Sequence, residues 1–479
     1  MLFNSVEFAV FLPIVLTLFW WLPIRRNLRL QNLFVAAASY LFYGWWDYRF
    51  LLLILFSTLV DYSVGLGLGK TEAPGRRKLL LWASIVVNLG FLGFFKYCGF
   101  FAESFASAFS FFGTQVSTPS LNIVLPVGIS FYTLQTLSYT IDVYRRRLKP
   151  TRDLLAFAAF VSFFPQLVAG PIERATNLLP QFVRPRSFEY SVAIDGLRQI
   201  LWGMFTKVVI ADNCAAWADA VFNNSDSYAG ATLVVGVTFF SFQVYGDFSG
   251  YSNIAIGTAK LFGFDLMRNF AYPYFSRDIA EFWRRWHISL STWFRDYLYI
   301  PLGGSRGGSW ASVRNVFVVF LISGLWHGAN WTFVVWGALN AAFFLPLLLF
   351  SRNRNYTDTV AADRFLPKLR ESGSMAMTFV LTTFAWTFFR AESIGHAVSY
   401  VAGIFSASLF TWPEVFPVDV VCLVALFVVA EWQGRHQSYA IAGLGLRWPR
   451  LARWGLYYGI CIAIVAIGGE QQDFIYFQF

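Results

Sequence analysis

The stretch Val316-Phe-Val-Val-Phe-Leu-Ile-Ser-Gly-Leu-Trp326-His327-Gly328-Ala-Asn-Trp331 decides the fold. An apolar run, Val316 to Trp326, closes on a histidine, and a second run, Trp331 to Phe350, opens after the three residues Gly328-Ala-Asn330. Paired runs of this kind read as two helices crossing a membrane in opposite directions. The chain has only 4 histidines in 479 residues. An ionisable group between two such runs is costly to bury, so its default reading is functional. Measured from Arg314, His327 lies roughly 20 Å along the helix axis at about 1.5 Å per residue, past the midpoint of a hydrocarbon core about 30 Å thick.

Composition extends that reading to the whole chain. Hydrophobic residues make up 57% and charged residues 13%, outside the range of soluble domains. Apolar runs recur from end to end, which predicts an all-α polytopic membrane protein. The net charge of +10 does not point to nucleic acid, because the basic residues gather in short loops between apolar runs. Cys98, Cys214, Cys422 and Cys461 lie far apart, with no metal-type spacing and no paired framework, and read as small buried hydrophobes. The first run, Val6–Leu22, is followed rather than preceded by Arg25 and Arg26. That polarity is opposite to a cleavable leader and predicts a retained span.

The loop charges order the topology. Arg25, Arg26 and Arg29, then Lys70 to Lys78, then Arg145 to Arg152 mark inner loops. The segment Cys98–Asn122 has no Lys or Arg and is expected outside. Predicted spans cover Leu30–Trp46, Leu51–Gly69, Leu79–Tyr97 and Ile123–Tyr144, with a broken or re-entrant element over Leu154–Ile172, where Pro165 and Gly170-Pro171 interrupt the run. Further spans are expected over Ile200–Phe222 and Val234–Tyr245, the latter ending inside at Gly246-Asp247. The remainder lie over Val313–Trp326, Trp331–Phe350, Met377–Phe389, Val418–Glu431 and Leu456–Gly468. This predicts about 11–13 crossings in one membrane-embedded domain over 1–479, with a central motif region at 240–340 and C-terminal helices at 374–479.

Between the spans, residues 278–300 repeat apolar positions every three or four: Ile279, Phe282, Trp283, Trp286, Leu290, Trp293 and Tyr297. One helix lying at the cytoplasmic interface is expected, with Arg284, Arg285, Arg295 and Asp296 on its polar face and His287 at the stripe's edge beside Trp283, Phe294 and Ser291. His287 is compatible with a hydrogen-bonded structural role or a chemical one. His327, if reached from a polar cavity, could deprotonate a hydroxyl near neutral pH; it could equally bond a neighbouring helix. Asp247-Phe-Ser-Gly250-Tyr251-Ser offers small polar groups, though Gly246, Gly250 and Gly257 suit close helix packing. Pro301-Leu-Gly-Gly-Ser-Arg306 is a turn without phosphate-loop spacing.

Glu281-Phe-Trp-Arg-Arg-Trp-His287-Ile-Ser-Leu-Ser-Thr-Trp-Phe-Arg-Asp-Tyr-Leu-Tyr-Ile-Pro-Leu-Gly-Gly304 and Gly324-Leu-Trp-His327-Gly-Ala resemble the central motifs of the membrane-bound O-acyltransferase family, most of all its branch that acetylates alginate and other exopolysaccharides. Met1-Leu-Phe-Asn-Ser, Pro165-Gln-Leu-Val-Ala-Gly-Pro-Ile172, Asp247-Phe-Ser-Gly-Tyr-Ser252 and Phe474-Ile-Tyr-Phe-Gln-Phe479 extend the resemblance over the full length. It implies helices around a thin partition between cytoplasmic and external funnels, with His327 and His287 as catalytic positions. Substrate contacts are expected at Trp283, Arg284, Ser291, Arg295, Asp296, Asp247 and Tyr251, and no metal. The implied reaction carries an acyl group, here acetyl, from a cytoplasmic thioester across the bacterial inner membrane to a secreted polysaccharide such as alginate. The donor is acetyl-CoA or an acylated carrier protein, with no bound cofactor. The implied partners are a periplasmic hydrolase-like acetyltransferase and membrane lipid. The alternatives are D-alanyl transfer to teichoic acid and, in another class, a proton-coupled transporter using the intramembrane histidine.

Overall fold

The computed structural model describes residues 1–111, 113, 123–168 and 170–477, and these are helical with no β-strand. Five helical stretches among them are long and apolar enough to cross a membrane: Leu28–Lys70, Pro74–Ser110, Gly230–Leu261, Gly308–His327 and Trp331–Leu349. The chain is a multi-pass, all-α membrane protein. It forms two compact units, one of Met1–Ile194 with Thr258–Met267, the other of Asp195–Gly257 with Arg268–Phe479.

In the first unit, helices Leu28–Asp47, Leu51–Lys70, Pro74–Leu92 and Ile129–Tyr144 stand where spans were expected. Their contact is partly polar. Asp61, fully buried, accepts hydrogen bonds from Ser84 Oγ at 2.6 Å and Asn88 Nδ2 at 2.9 Å. Arg77 donates to the end carbonyls of Leu68, Val143 and Tyr144, which supplies the partners that the last turns of two helices lack. Two boundaries differ from the expectation. Pro126 and Gly128, the latter at φ 76°, delay the helix to Ile129, and a Cβ at 128 would meet Leu167 O at 2.6 Å. After a π turn over Gly93–Tyr97 the helix runs on from Cys98 to Phe111, because no proline or charge run stops it; apart from Gly113, the rest of that segment to residue 122 lies outside the described residues. The run at Leu154 is broken as expected, into Leu154–Ser162 and Phe164–Leu167.

In the second unit the expected span over Val234–Tyr245 is part of a 32-residue helix, Gly230–Leu261. Asp247 therefore sits mid-helix, not at its inner end. The carboxylate looked like a membrane boundary, yet it is buried and paired with Lys207 at 2.7 Å, so nothing forces the helix to stop there. Gly250 packs as small residues suggest: a Cβ there would meet Gly203 O at 2.9 Å, and one on Gly257 would meet Gly196 O at 2.5 Å. A short helix over Ile394–Ile404, which the charge pattern did not reveal, follows Leu369–Arg390. Of the cysteines, Cys214 is buried and Cys98 half-buried, but Cys422 and Cys461 are exposed on apolar helices. Outward-facing apolar positions are what lipid contact requires, so burial in protein was the wrong reading for those two.

Candidate active site

The helix Gly308–His327 ends on its histidine, and the helix Trp331–Leu349 returns against it. Two glycines set their separation. A Cβ on Gly324 would meet Phe333 O at 2.2 Å, and one on Gly337 would meet Phe320 O at 2.4 Å, so the backbones touch where any side chain would hold them apart. Gly328 leaves the helix in an extended conformation, and a Cβ there would run into the Phe333 ring at 2.0 Å. Asn330 then caps the second helix, its Oδ1 accepting from Thr332 N at 3.0 Å. The turn therefore fixes the direction in which His327 leaves the helix. The imidazole is 2% exposed and is ringed by aromatics: Trp326 at 5.0 Å, Trp336 at 5.1 Å, Phe389 at 5.4 Å and Tyr476 at 5.4 Å between centroids.

His287 comes to the same place from a different element. The periodic segment is not one helix: Ile279–Arg285 and Ile288–Phe294 are separated by Trp286 and His287, and a π turn over Arg295–Tyr299 follows. His287 has φ 43°, in the left-handed region that a non-glycine residue enters only when its surroundings require it. Here the requirement is visible in the backbone. Ala271 N donates to Arg285 O at 2.9 Å and Ile288 N to Asn269 O at 2.8 Å, so residues 269–271 clamp the break on both sides. Below it, the buried Glu281 carboxylate accepts from Arg277 at 3.0 Å and Arg285 at 2.8 Å. The single-helix expectation fails because these clamps outweigh the apolar period, and the neighbours it assigned to His287 are replaced by Phe248 at 4.6 Å, Trp326 at 5.9 Å and His327 at 6.3 Å.

The tautomer of His287 follows from its contacts. Asn269 Nδ2 donates to Ser252 Oγ at 3.0 Å, which turns the amide oxygen towards Ser289 and the imidazole. Ser289 Oγ donates to that oxygen at 2.9 Å, and His287 Nδ1 lies 3.0 Å from it. An amide oxygen only accepts, so Nδ1 carries the proton and the lone pair is on Nε2. Two imidazoles with ring centres 6.3 Å apart, inside a wall of aromatic rings, can flank one reacting group while water is kept out.

Residues 143–367, which contain both histidines, match the membrane-bound O-acyltransferase family. The chain is 37% identical to a probable alginate O-acetylase of Pseudomonas putida, covering 100% of each. It belongs to the membrane-bound O-acyltransferase family. The acyltransferase is also 36% identical to the peptidoglycan O-acetyltransferase of Helicobacter pylori, over 84% of its own length and 80% of the relative. With the teichoic acid D-alanyltransferase of Bacillus subtilis it shares 26% identity over 59% of its length and 73% of the relative's.

The acyltransferase gathers some of the expected site residues and disperses others. Trp283 stands one layer behind the histidines, 5.7 Å from Trp336. Ser291 Oγ donates to Trp286 O at 3.2 Å. Arg284, exposed, donates to the carbonyls of Asn353 at 2.8 Å and Tyr356 at 2.5 Å and so holds a loop. Nearby, Arg277 bridges to Asp358 at 2.9 Å and holds that carboxyl below its usual pKa. Arg295 and Asp296 pair with each other at 2.7 Å, the arginine largely exposed. Asp247 and Tyr251 stand around Lys207 and the C-terminal segment: Lys207 Nζ is 2.7 Å from Asp247, and Phe474 packs on Tyr251 at 4.5 Å. Asn269, Trp336, Phe389 and Tyr476 had no role in the sequence reading. Tyr476 alone had a visible signal, since it falls within the tail motif that carries the family resemblance.

Proposed function

We propose that this acyltransferase takes acetyl from a cytoplasmic thioester, acetyl-CoA or an acylated carrier protein, and passes it across the bacterial inner membrane for O-acetylation of a secreted polysaccharide such as alginate. The observation that carries the reading is the pairing of His287 with His327, 6.3 Å apart, among buried aromatic rings and brought together from two separate motifs. His327 acts as the general base. It accepts the proton of an acceptor hydroxyl as that oxygen adds to the thioester carbonyl; the C–S bond then breaks, the thiol leaves with that proton, and the acetyl stays on the acceptor oxygen as an ester for onward transfer. His287, with its lone pair on Nε2, accepts a hydrogen bond from the incoming group and orients it. The charged donor stays on the cytoplasmic side, and a periplasmic hydrolase-like acetyltransferase completes delivery to the sugar.

The whole-length likeness to an O-acetylase supports acetyl over D-alanyl, for which the similar relative matches a smaller part of the chain. The test is His327→Ala in the full-length protein. Membrane abundance is expected to stay at the wild-type level while ester-bound acetyl on the exported polymer falls by about 10²–10⁴, the usual contribution of a general base. Normal acetylation by that variant would falsify the assignment. A proton-coupled transporter would instead accumulate labelled solute in vesicles that hold this chain alone.

A further inference from the structure

We propose that Lys207 and Asp247 are positioning residues that latch the segment Gln472–Tyr476 against the histidine pair, an inference that rests on His327 being the reactive centre. Lys207 lies in a π turn, Phe205–Ala211, between the helices Tyr190–Met204 and Asp212–Asn223. Its ammonium is 2.8 Å from Asp212 and 2.7 Å from Asp247, and all three side chains are within 3% of full burial. An ammonium has three N–H donors, and the third goes to the backbone carbonyl of Gln472 at 3.0 Å. Asp247 is also used at both oxygens: Oδ1 faces Lys207, and Oδ2 accepts from Ile475 N at 2.6 Å. Lysine and aspartate therefore grip the same short segment at its two ends.

An ion pair that only joined helices would not need these two bonds. Two carboxylates and one ammonium in a buried place are a costly arrangement, and such clusters are weak contributors to stability as such. What this one holds is specific. Phe474, between the two anchor points, is fully buried against Tyr251 at 4.5 Å and Phe248 at 5.7 Å. One residue past the second anchor, the Tyr476 ring meets Phe248 at 4.7 Å, His327 at 5.4 Å and Trp326 at 6.4 Å. Upstream, Gly469 N donates to Val208 O at 3.0 Å, so the same π turn holds this stretch of chain a second time, after the bond from Lys207 to Gln472. The turn is the receptor, and the tail is what it receives. With the latch closed, Tyr476 forms one wall of the pocket; with it open, that side of His327 is unlined.

The test uses the full-length chain in its own membrane, with Tyr476→p-benzoylphenylalanine as a photo-probe and mass spectrometry to find its partner. Lys207→Met removes both ion pairs and the bond to Gln472. Ile475→Pro leaves all three charged side chains in place, removes the N–H that bonds Asp247 and fixes φ at 475, and it is the variant to read if the lysine variant does not accumulate. Each is expected to lower the cross-link from position 476 to the peptide carrying Trp326–Gly328 by about tenfold or more, and polymer acetylation, measured with Tyr476 native, by a similar factor. Lys207→Arg should recover more of both than Lys207→Met. A wild-type cross-link yield in either variant overturns the latch, and so does wild-type acetylation after the cross-link is lost. His327→Ala should keep the cross-link and lose acetylation; if it acetylates normally the base assignment fails alone, and the cross-link yields still decide the latch.

Discussion

At the scale of single residues, the site rests on a neutral amide as much as on the two histidines. Asn269 fixes which nitrogen of His287 is protonated, and Ser252 fixes which way Asn269 faces. Asn269→Leu keeps the volume and leaves Nδ1 without its acceptor. A hydrogen bond lost from a buried partner costs about 1–3 kcal/mol, so acetylation is expected to fall by roughly tenfold to a hundredfold with the protein still in the membrane, measured as acetyl per unit of enzyme. His327 stood out in the sequence because ionisable groups between apolar runs are scarce and expensive, and His287 because it sits in a motif that resembles the family's. Asn269 was not, because an amide owes its importance to whatever folding brings beside it. The helical wheel also misplaced His287, since a wheel assumes an unbroken helix and the bonds from Ala271 and Ile288 are made by chain that the wheel does not contain.

At the scale of elements, the hairpin that carries His327 depends on contacts of backbone with backbone. Gly324→Val would push a branched side chain into Phe333 O, and overpacking of that kind costs about 1–3 kcal/mol. The expected result is a lower melting temperature in detergent and weaker acetylation, whereas Ala329→Ser in the turn should change neither. Element positions were largely legible: Leu51–Lys70 and Trp331–Leu349 fall within a residue or so of their apolar runs. Ends were legible only where the chain itself imposes them, as Asn330 does by capping. The helix Gly230–Leu261 was cut short in the sequence reading because Asp247 carries a charge, and the partner that neutralises it lies forty residues away on another helix. Arg284 was expected to contact substrate; the bonds it makes to Asn353 and Tyr356 depend on a loop with no signature. Arg284→Gln is expected to leave the histidine pair in place and to make residues 353–356 readily cleaved by added protease, read as the rate of fragment formation on gels.

At the scale of the whole molecule, the alternation of basic and uncharged loops predicts that Ser305 faces the cytoplasm and Ala407 the outside, both at exposed positions. A membrane-impermeant maleimide should modify Ala407→Cys in intact spheroplasts and Ser305→Cys only after the membrane is opened; the reverse pattern would invert the route proposed for the acyl group. That expected orientation rests on charge placement alone, a property of the sequence. The grip on the tail was invisible, because its partners are 265 and 228 residues apart. That separation has a consequence for how the enzyme comes into being. Synthesis runs from the N-terminus, so Lys207, Asp247, His287 and His327 are all made and inserted well before Gln472 and Tyr476 exist. A nascent chain can carry both histidines and still lack the wall that completes their pocket, and a prematurely terminated one never acquires it. The surroundings of His327 are therefore completed only by chain made well after the histidine itself.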